Sequence, residues 1–283
     1  GQTLTVESSQ LHLSAGLRST DATLQMILRS SQGDQHTVTL PEGAELQTVL
    51  INSIAQPIRQ KDNNITLPIV PGKQHIQISW RMSDAMRTLL TTPLVGLGAA
   101  SVNHSLSVQL ARDRWVLLVG GPRLGPAVLF WGVVIVLIIV AMGLGRVRLT
   151  PLRAWGWFLL GIGLSQSFVL GSLIVVGWLF ALGLRGRLTS DVRKGVFNTI
   201  QLAIAALTLM ALAVLFYAVQ QGLLGLPDMQ VSGNQSNAYN LNWFQDRAGE
   251  FLPQAWVVSV PLLVYRILML AWALWLAFSL LKW

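Results

Sequence analysis

The chain has 283 residues, of which 52% are hydrophobic and only 11% charged, against roughly 25% charged in an average soluble domain. Its net charge of +8 would suit a nucleic acid only as a basic stripe on a folded face, and the charges are not arranged that way. There is no cysteine, which excludes disulfides, thiol chemistry and Cys-based metal sites.

The charge deficit is uneven. Residues 1–125 hold ten Lys/Arg and eight Asp/Glu, an ordinary soluble balance. Residues 126–283 hold ten Lys/Arg, four Asp/Glu and nine of the eleven Trp. A soluble half is followed by a membrane half.

Residues 1–120 alternate with period two. Leu4 and Val6 alternate with Thr5 and Glu7, Leu24, Met26 and Leu28 with Gln25 and Arg29, and Ile76, Ile78 and Trp80 with Gln77 and Ser79. Leu106, Val108 and Leu110 do the same against Ser107 and Gln109. One apolar and one wet face per strand is the pattern of half-buried antiparallel sheet. Turn signals SQGD (31–34), PEG (41–43), KDNN (61–64) and PGK (71–73) separate the runs. The expectation is an all-β antiparallel sandwich of eight or nine short strands over 1–120. Gly1 opens inside this pattern, with neither an initiator Met nor a signal peptide, so the expectation is a piece or processed product of something longer.

GGPRLGP (120–126) continues neither strand nor helix, so 121–126 reads as a linker to a helical domain at 127–283. PAVLFWGVVIVLIIVAMGLG (126–145) is uncharged and long enough to span a bilayer, which takes about 20 residues. Further spans are expected at 196–219 and within 255–281. The 31 residues of 154–184 are long for one span and short for two. They form either a hairpin of two short helices breaking near Ser165-Gln166-Ser167, or an interfacial helix at 154–164 followed by one span. Seven basic residues lie in the flanking loops GRVRLTPLR (145–153) and RGRLTSDVRK (185–194). Because cytoplasmic loops are enriched in Lys and Arg, the hairpin is favoured. The resulting expectation is an all-α, multi-pass transmembrane domain of about five membrane-inserted helices, two of them short. It would sit in a bacterial inner (plasma) membrane, with the β domain and the loop 220–254 periplasmic and the C-terminus cytoplasmic.

Three segments carry a resemblance: LPEGAELQTVLINSIAQPIRQKDNNITLPIVPGKQHIQISWR (40–81), LTPLRAWGWFLLGIGLSQ (149–166) and NAYNLNWFQDRAGEFLPQAWVVSVPLLVYRILML (237–270). They resemble the C-terminal part of a group of uncharacterised bacterial inner-membrane proteins with a large β-rich periplasmic region. The resemblance implies the same layout and a missing N-terminal portion, and no activity.

Chemistry-bearing residues are sparse. His12, His36, His75 and His104 are scattered one to a strand or turn, where metal sites want clustered ligands. They read as exposed strand or turn residues, and no metal or cofactor is expected. Gly161, Gly163, Gly171 and Gly177 read as helix-packing positions. Arg266 is the one charge inside an apolar span. It either snorkels to the outer face, pairs with Asp246 or Glu250, or reads a ligand.

Within 237–254, DRAG (246–249) reads as a tight turn joining NLNWF and EFLPQAWVV into a small hairpin. Trp243, Phe244, Phe251 and Trp256 would be interface anchors. Trp243, Asp246, Arg247, Glu250 and Arg266 are therefore the candidate contacts for a partner or ligand. No nucleophile–base constellation is visible. The leading expectation is a non-enzymatic, membrane-anchored periplasmic interaction module touching the bilayer and an envelope protein or glycan, with homo-oligomers possible and nucleic acid excluded. A transporter or channel component is the alternative.

Overall fold

The computed structural model of the protein describes residues 4–84, 86–187 and 194–283. Residues 188–193, within the second basic loop, lie outside them. The chain divides into two compact units, Gly1–Leu129 with Met229–Pro261, and Phe130–Asp228 with Leu262–Trp283.

The first unit is built from β1 (Leu4–Ala15), β2 (Thr20–Ser30), β3 (Asp34–Thr39), β4 (Ala44–Ile51), β5 (Ile54–Ala55), β6 (Asn64–Ile69), β7 (Gly72–Met82), β8 (Leu89–Thr91), β9 (Ser101–Leu110), β10 (Arg114–Gly120) and β11 (Ala127–Val128). After the helices α1 (Phe130–Leu144), α2 (Ala154–Leu164), α3 (Val169–Arg185) and α4 (Lys194–Leu224), the chain returns with β12 (Val231–Ser232), β13 (Asn240–Ala248) and β14 (Trp256–Pro261). It ends in α5 (Leu262–Lys282).

A seven-stranded sheet in the order β13-β9-β1-β2-β7-β4-β5 forms one layer. A three-stranded sheet β10-β14-β8 and the pairs β3-β6 and β11-β12 complete the unit. Alternation places Leu11, Leu13, Leu24, Met26, Ile76, Ile78 and Trp80 in a core shared with Val38, Ile65, Leu67, Val116 and Val257 from the other sheets. Burial of this apolar set, at roughly 25 cal/mol per Å², is what closes the layers on each other.

The sheet corrects the antiparallel expectation. β1 runs parallel to β9, from Val6↔Ser101 to Ala15↔Leu110, so the sheet is mixed. Alternation fixes which face is wet, and nothing in it records which strand becomes the neighbour.

The segment 237–254 is also not a hairpin. Asp246, Arg247 and Ala248 continue β13 rather than turning. β13 pairs antiparallel with β9, and β14 pairs with β10 and β8 in a different sheet. The chain must therefore leave the first unit at Leu129, pass through α1 to α4, and return to complete both sheets.

Among the described residues there are five helices, but not about five spans. α4 and α5, with 31 and 21 residues, are long and apolar enough to cross a membrane. α1, α2 and α3 have 15, 11 and 17 residues, shorter than the roughly 20 that an upright span takes. The 126–145 run loses its first turn because Ala127 and Val128 are drawn into pairing with Ser232 and Val231. α2 and α3 separate at 165–168, where the Ser165 and Ser167 hydroxyls donate to the carbonyls of Ile162 and Leu164. Close approaches at glycine hold the bundle. A Cβ on Gly161 would meet Leu137, one on Gly163 would overlap Trp272, and one on Gly171 would meet Phe168 and Val214, while Gly177 faces open space. The Trp272 indole N–H donates to Leu159 O at 2.8 Å, and that of Trp178 to Thr208 Oγ1 at 2.9 Å.

Residues 1–120 alone lack both β13 and β14. That piece is expected to aggregate or to melt without a cooperative transition, because β9 becomes an unpaired edge. Residues 1–129 fused to 229–261 by a short Gly/Ser linker should instead melt cooperatively by circular dichroism. A cooperative melt of 1–120 alone would contradict this account.

Candidate functional site

β13 is an edge strand whose outer side is closed by polar side chains just before it. Asn237 Oδ1 accepts the Asn240 N–H at 2.9 Å, and Ser236 Oγ accepts the Asn242 N–H at 2.9 Å. Asn234 Nδ2 donates to Asn242 O, and the Phe244 N–H donates to Leu124 O at 2.7 Å. An exposed edge would template association, so the asparagine-rich stretch has a structural task. At the opposite edge Gln60 mimics a strand, accepting the Leu46 N–H and donating to Ala44 O.

Trp243, taken from the sequence as a contact residue, is a core residue with 1% exposure, so no ligand reaches it. The segment 120–126 is shaped around it and Trp256. A Cβ on Gly125 would lie 2.7 Å from Trp243 Nε1, and one on Gly120 would lie 2.5 Å from the Trp256 ring. Asp246, Arg247 and Glu250 are exposed. The Arg247 carbonyl accepts from Gln245 Nε2, and that of Glu250 accepts the Leu97 N–H. Arg266 is exposed at the start of the second turn of α5 and belongs to the other unit. The structure thus brings Trp243, Asp246 and Arg247 onto one strand with Trp243 turned inward.

The histidines divide. His12 and His75 are exposed as expected, whereas His36 and His104 are buried. His36 Nε2 lies 2.6 Å from Leu97 O. His104 Nδ1 lies 2.9 Å from Ser9 Oγ, which is 3.3 Å from Ser101 Oγ, and all three side chains point into the core. A serine hydroxyl on an imidazole is the start of a nucleophile–base pair. Here Ser9 and His104 are both 0% exposed, so no substrate reaches the hydroxyl. His104 Nε2 has no partner among the described residues. A protonated ring would bury an unsatisfied charged donor, and burial accordingly lowers its pKa to about 4. Among the described residues no cluster of His, Asp or Glu could hold a metal.

The outer face of the seven-stranded sheet has a more informative chemistry. Across it run the rows Asn242-Ser107-His12-Thr23-Ser79-Thr48 and Phe244-Ser105-Gln10-Gln25-Gln77-Leu50, with Ser8-Ile27-His75 beside them. A depression of about 280 Å³ lies over Gln10, Gln25, Gln77, His75, Ser53 and Leu50. Surfaces normally carry about a quarter to a third Lys, Arg, Asp and Glu. These fifteen positions carry none.

Charges close the band at both ends. On one side Arg81 Nε lies 2.6 Å from Asp21 Oδ1, with Glu45 next in the row. On the other, Arg29 and Lys73 reach Glu7 at 2.5 and 3.2 Å. The hydrogen bond from Lys73, with Arg29 nearby, holds the Glu7 carboxyl below the usual carboxylate range. Arg29 and Lys73 share the one carboxylate of Glu7, whereas Arg81 stands between Asp21 and Glu45, so the three cations and three carboxylates of the two fences together sum to no net charge.

No protein-family model and no curated protein matches the chain. Among solved structures, an M1 zinc metallopeptidase from Deinococcus radiodurans aligns at TM-score 0.35 and 11% identity, covering 44% of this chain and 36% of that one. A variant of a two-domain M1 zinc metallopeptidase bound to L-tryptophan aligns at TM-score 0.35 and 10% identity over the same shares. The chain spans about a third of the length of these structures, and likeness at this level carries no argument about fold or activity.

Two outcomes follow from this geometry. Gly125→Ala should destabilise the first unit by about 1–3 kcal/mol, because the methyl must displace the Trp243 ring from a packed core. A thermal melt unchanged from the parent would overturn that. For His104 the folded pKa lies below the unfolded value of about 6.5. Its stabilising share is therefore complete above pH 6.5 and lost as pH falls towards 4. The loss is about 3 kcal/mol. Denaturation at pH 7 and pH 4.5 should show a smaller pH-dependent loss in His104→Gln than in the parent, and equal losses would reject the assignment.

Proposed function

We propose that the chain is a membrane-anchored module of the bacterial envelope, whose β unit is held outside the cytoplasm and binds a partner on the outer face of its large sheet. One observation carries this reading. The strands β12 to β14 lie in sequence between α4 and α5, the two helices long and apolar enough to cross a membrane. Only 28% and 22% of their apolar windows are buried within the chain. A core helix of a soluble protein would be mostly buried, whereas a helix that stays this open needs lipid.

The end of α4 and the start of α5 then fall on the same side as the β unit. Pro261 ends β14 and Leu262 begins α5 with no intervening residue. Arg185, Arg187 and Arg193 precede α4, Lys194 begins it, and Lys282 ends α5. The segment between α4 and α5 carries Asp228, Asp246 and Glu250 against one Arg247. The excess of basic residues at the far ends argues for those ends in the cytoplasm and the β unit in the periplasm. With β1 to β11 and β12 to β14 in one unit, the chain between Leu129 and Arg185 must then cross the bilayer once as well. Arg266, exposed near the start of α5, lies where a guanidinium reaches the headgroups.

Because the chain has no cysteine, single cysteines report its orientation without background. In intact cells, cysteines at positions 33 and 235 should react with a membrane-impermeant maleimide, and one at 190 should react only after permeabilisation. Protection at 33 together with external labelling at 190 would invert the topology and end the proposal.

A further inference from the structure

From the sheet's outer face we infer that the β unit binds a neutral glycan chain laid across the strands, over the rows centred on Gln10, Gln25 and Gln77. The inference rests on the preceding reading for its cellular setting, since it places this face where envelope glycans are found.

The occupant follows from the band's chemistry. Six strands separated by about 4.8 Å give a floor roughly 24 Å wide, long enough for an extended oligomer. The floor presents amide, hydroxyl and imidazole groups, which both donate and accept hydrogen bonds, as the hydroxyls of a sugar chain require. Gln25 Nε2 lies 3.4 Å from Gln77 Oε1, a long contact that leaves both amides with capacity for a ligand. The depression beside them, about 280 Å³, gives one residue of the chain a seat. Phe244, half-buried at the β13 end of the same row, adds an aromatic side chain for the apolar side of a sugar.

Charge complementarity excludes the competing ligands. An anionic polymer needs a cationic floor, and the fifteen positions of the band hold no Lys or Arg, while at its edges Arg29 and Lys73 share Glu7 and Arg81 pairs with Asp21. A protein partner favours Trp, Tyr and Arg anchors at the centre of its contact, and the band has none of them. A polar floor of this kind is equally unsuited to lipid.

The test uses the full chain in a detergent without a sugar headgroup, so that the detergent does not compete. Cellohexaose, maltohexaose and hexa-N-acetylchitohexaose are titrated by calorimetry, with heparin as the anionic control. At least one neutral hexamer should bind, and heparin should not. Gln25→Ala with Gln77→Ala should weaken binding by about tenfold or more, while the thermal melt stays at the parental value because both side chains point to solvent. Gln25→Glu is the second variant and should weaken binding comparably by setting a charge in the neutral floor. Binding of heparin alone, binding that survives both variants, or no binding of any neutral hexamer overturns the inference. The orientation of the β unit is read separately by cysteine labelling, so either conclusion can fall without the other.

Discussion

The pairing of β13 with β9 is the constraint on which the rest of the structure depends. Every buried backbone N–H and C=O needs a partner, and β9 finds its second neighbour only in residues 240–248, well over a hundred positions along the chain. The apolar helices α1 to α4 are therefore spliced into a β fold rather than appended to it. α5 begins where β14 stops. The route of the chain between the two units is fixed by this closure, and so is the partition of strands among sheets. β14 lies between β10 and β8, so removing the return segment would open two sheets at once.

The closure also explains the Gly- and Pro-rich stretch at 120–126, which is part of the fold. Leu124 bridges to Phe244, and the glycines on either side clear space for two indoles. Composition shows that such a stretch cannot be regular structure. It does not show that the absent side chains are the point, because the tryptophans that occupy the space are more than a hundred residues away. The same distance hid the strand character of DRAG, whose four residues have local turn chemistry while the ladder to β9 holds the first three extended. Hydropathy misjudged 126–145 for a related reason. A window sees that Ala127 and Val128 are apolar and does not see that their backbones are committed to β12. The break between α2 and α3 was legible, since Ser165 and Ser167 offer hydroxyls to the preceding carbonyls and so compete with helix continuation.

The Ser9–His104 pair shows how far local reading reaches. Neither residue stands out in its own strand, and the parallel pairing of β1 with β9 places them side by side. The environment then decides their role. A hydroxyl and an imidazole within hydrogen-bond distance are reactive partners where substrate and a stabilised cation can be accommodated. Sealed in a core with one ring nitrogen unsatisfied, the imidazole is held neutral, and the pair serves packing and hydrogen-bond satisfaction.

The neutral floor on the opposite face depends on two irregularities that the sequence does record. In β1 the apolar residues fall at even positions up to Val6 and at odd positions from Leu11 onward. In β4 Ala44 and Leu46 give way to Val49 and Ile51. A strand cannot change the phase of its alternation without an extra residue, because a one-residue slip sends every side chain to the other face. The ladders shift at Val6/Ser8 and at Leu46/Thr48 accordingly. Without the first shift a single phase would run along β1, and either Leu4 and Val6 would face outward or Gln10, His12 and Ser14 would point into the core. The bulges thus keep the apolar sets of both halves of each strand on the inner face, beside the buried Ser9, His104 and Gln74, and turn the opposite set outward as a continuous band. Their cost in ladder hydrogen bonds is local. The return is a surface of fifteen uncharged positions that meets water across six strands, bordered by Asp21, Arg81 and Glu45 on one side, by Glu7, Arg29 and Lys73 on the other, and by Asp246 on β13.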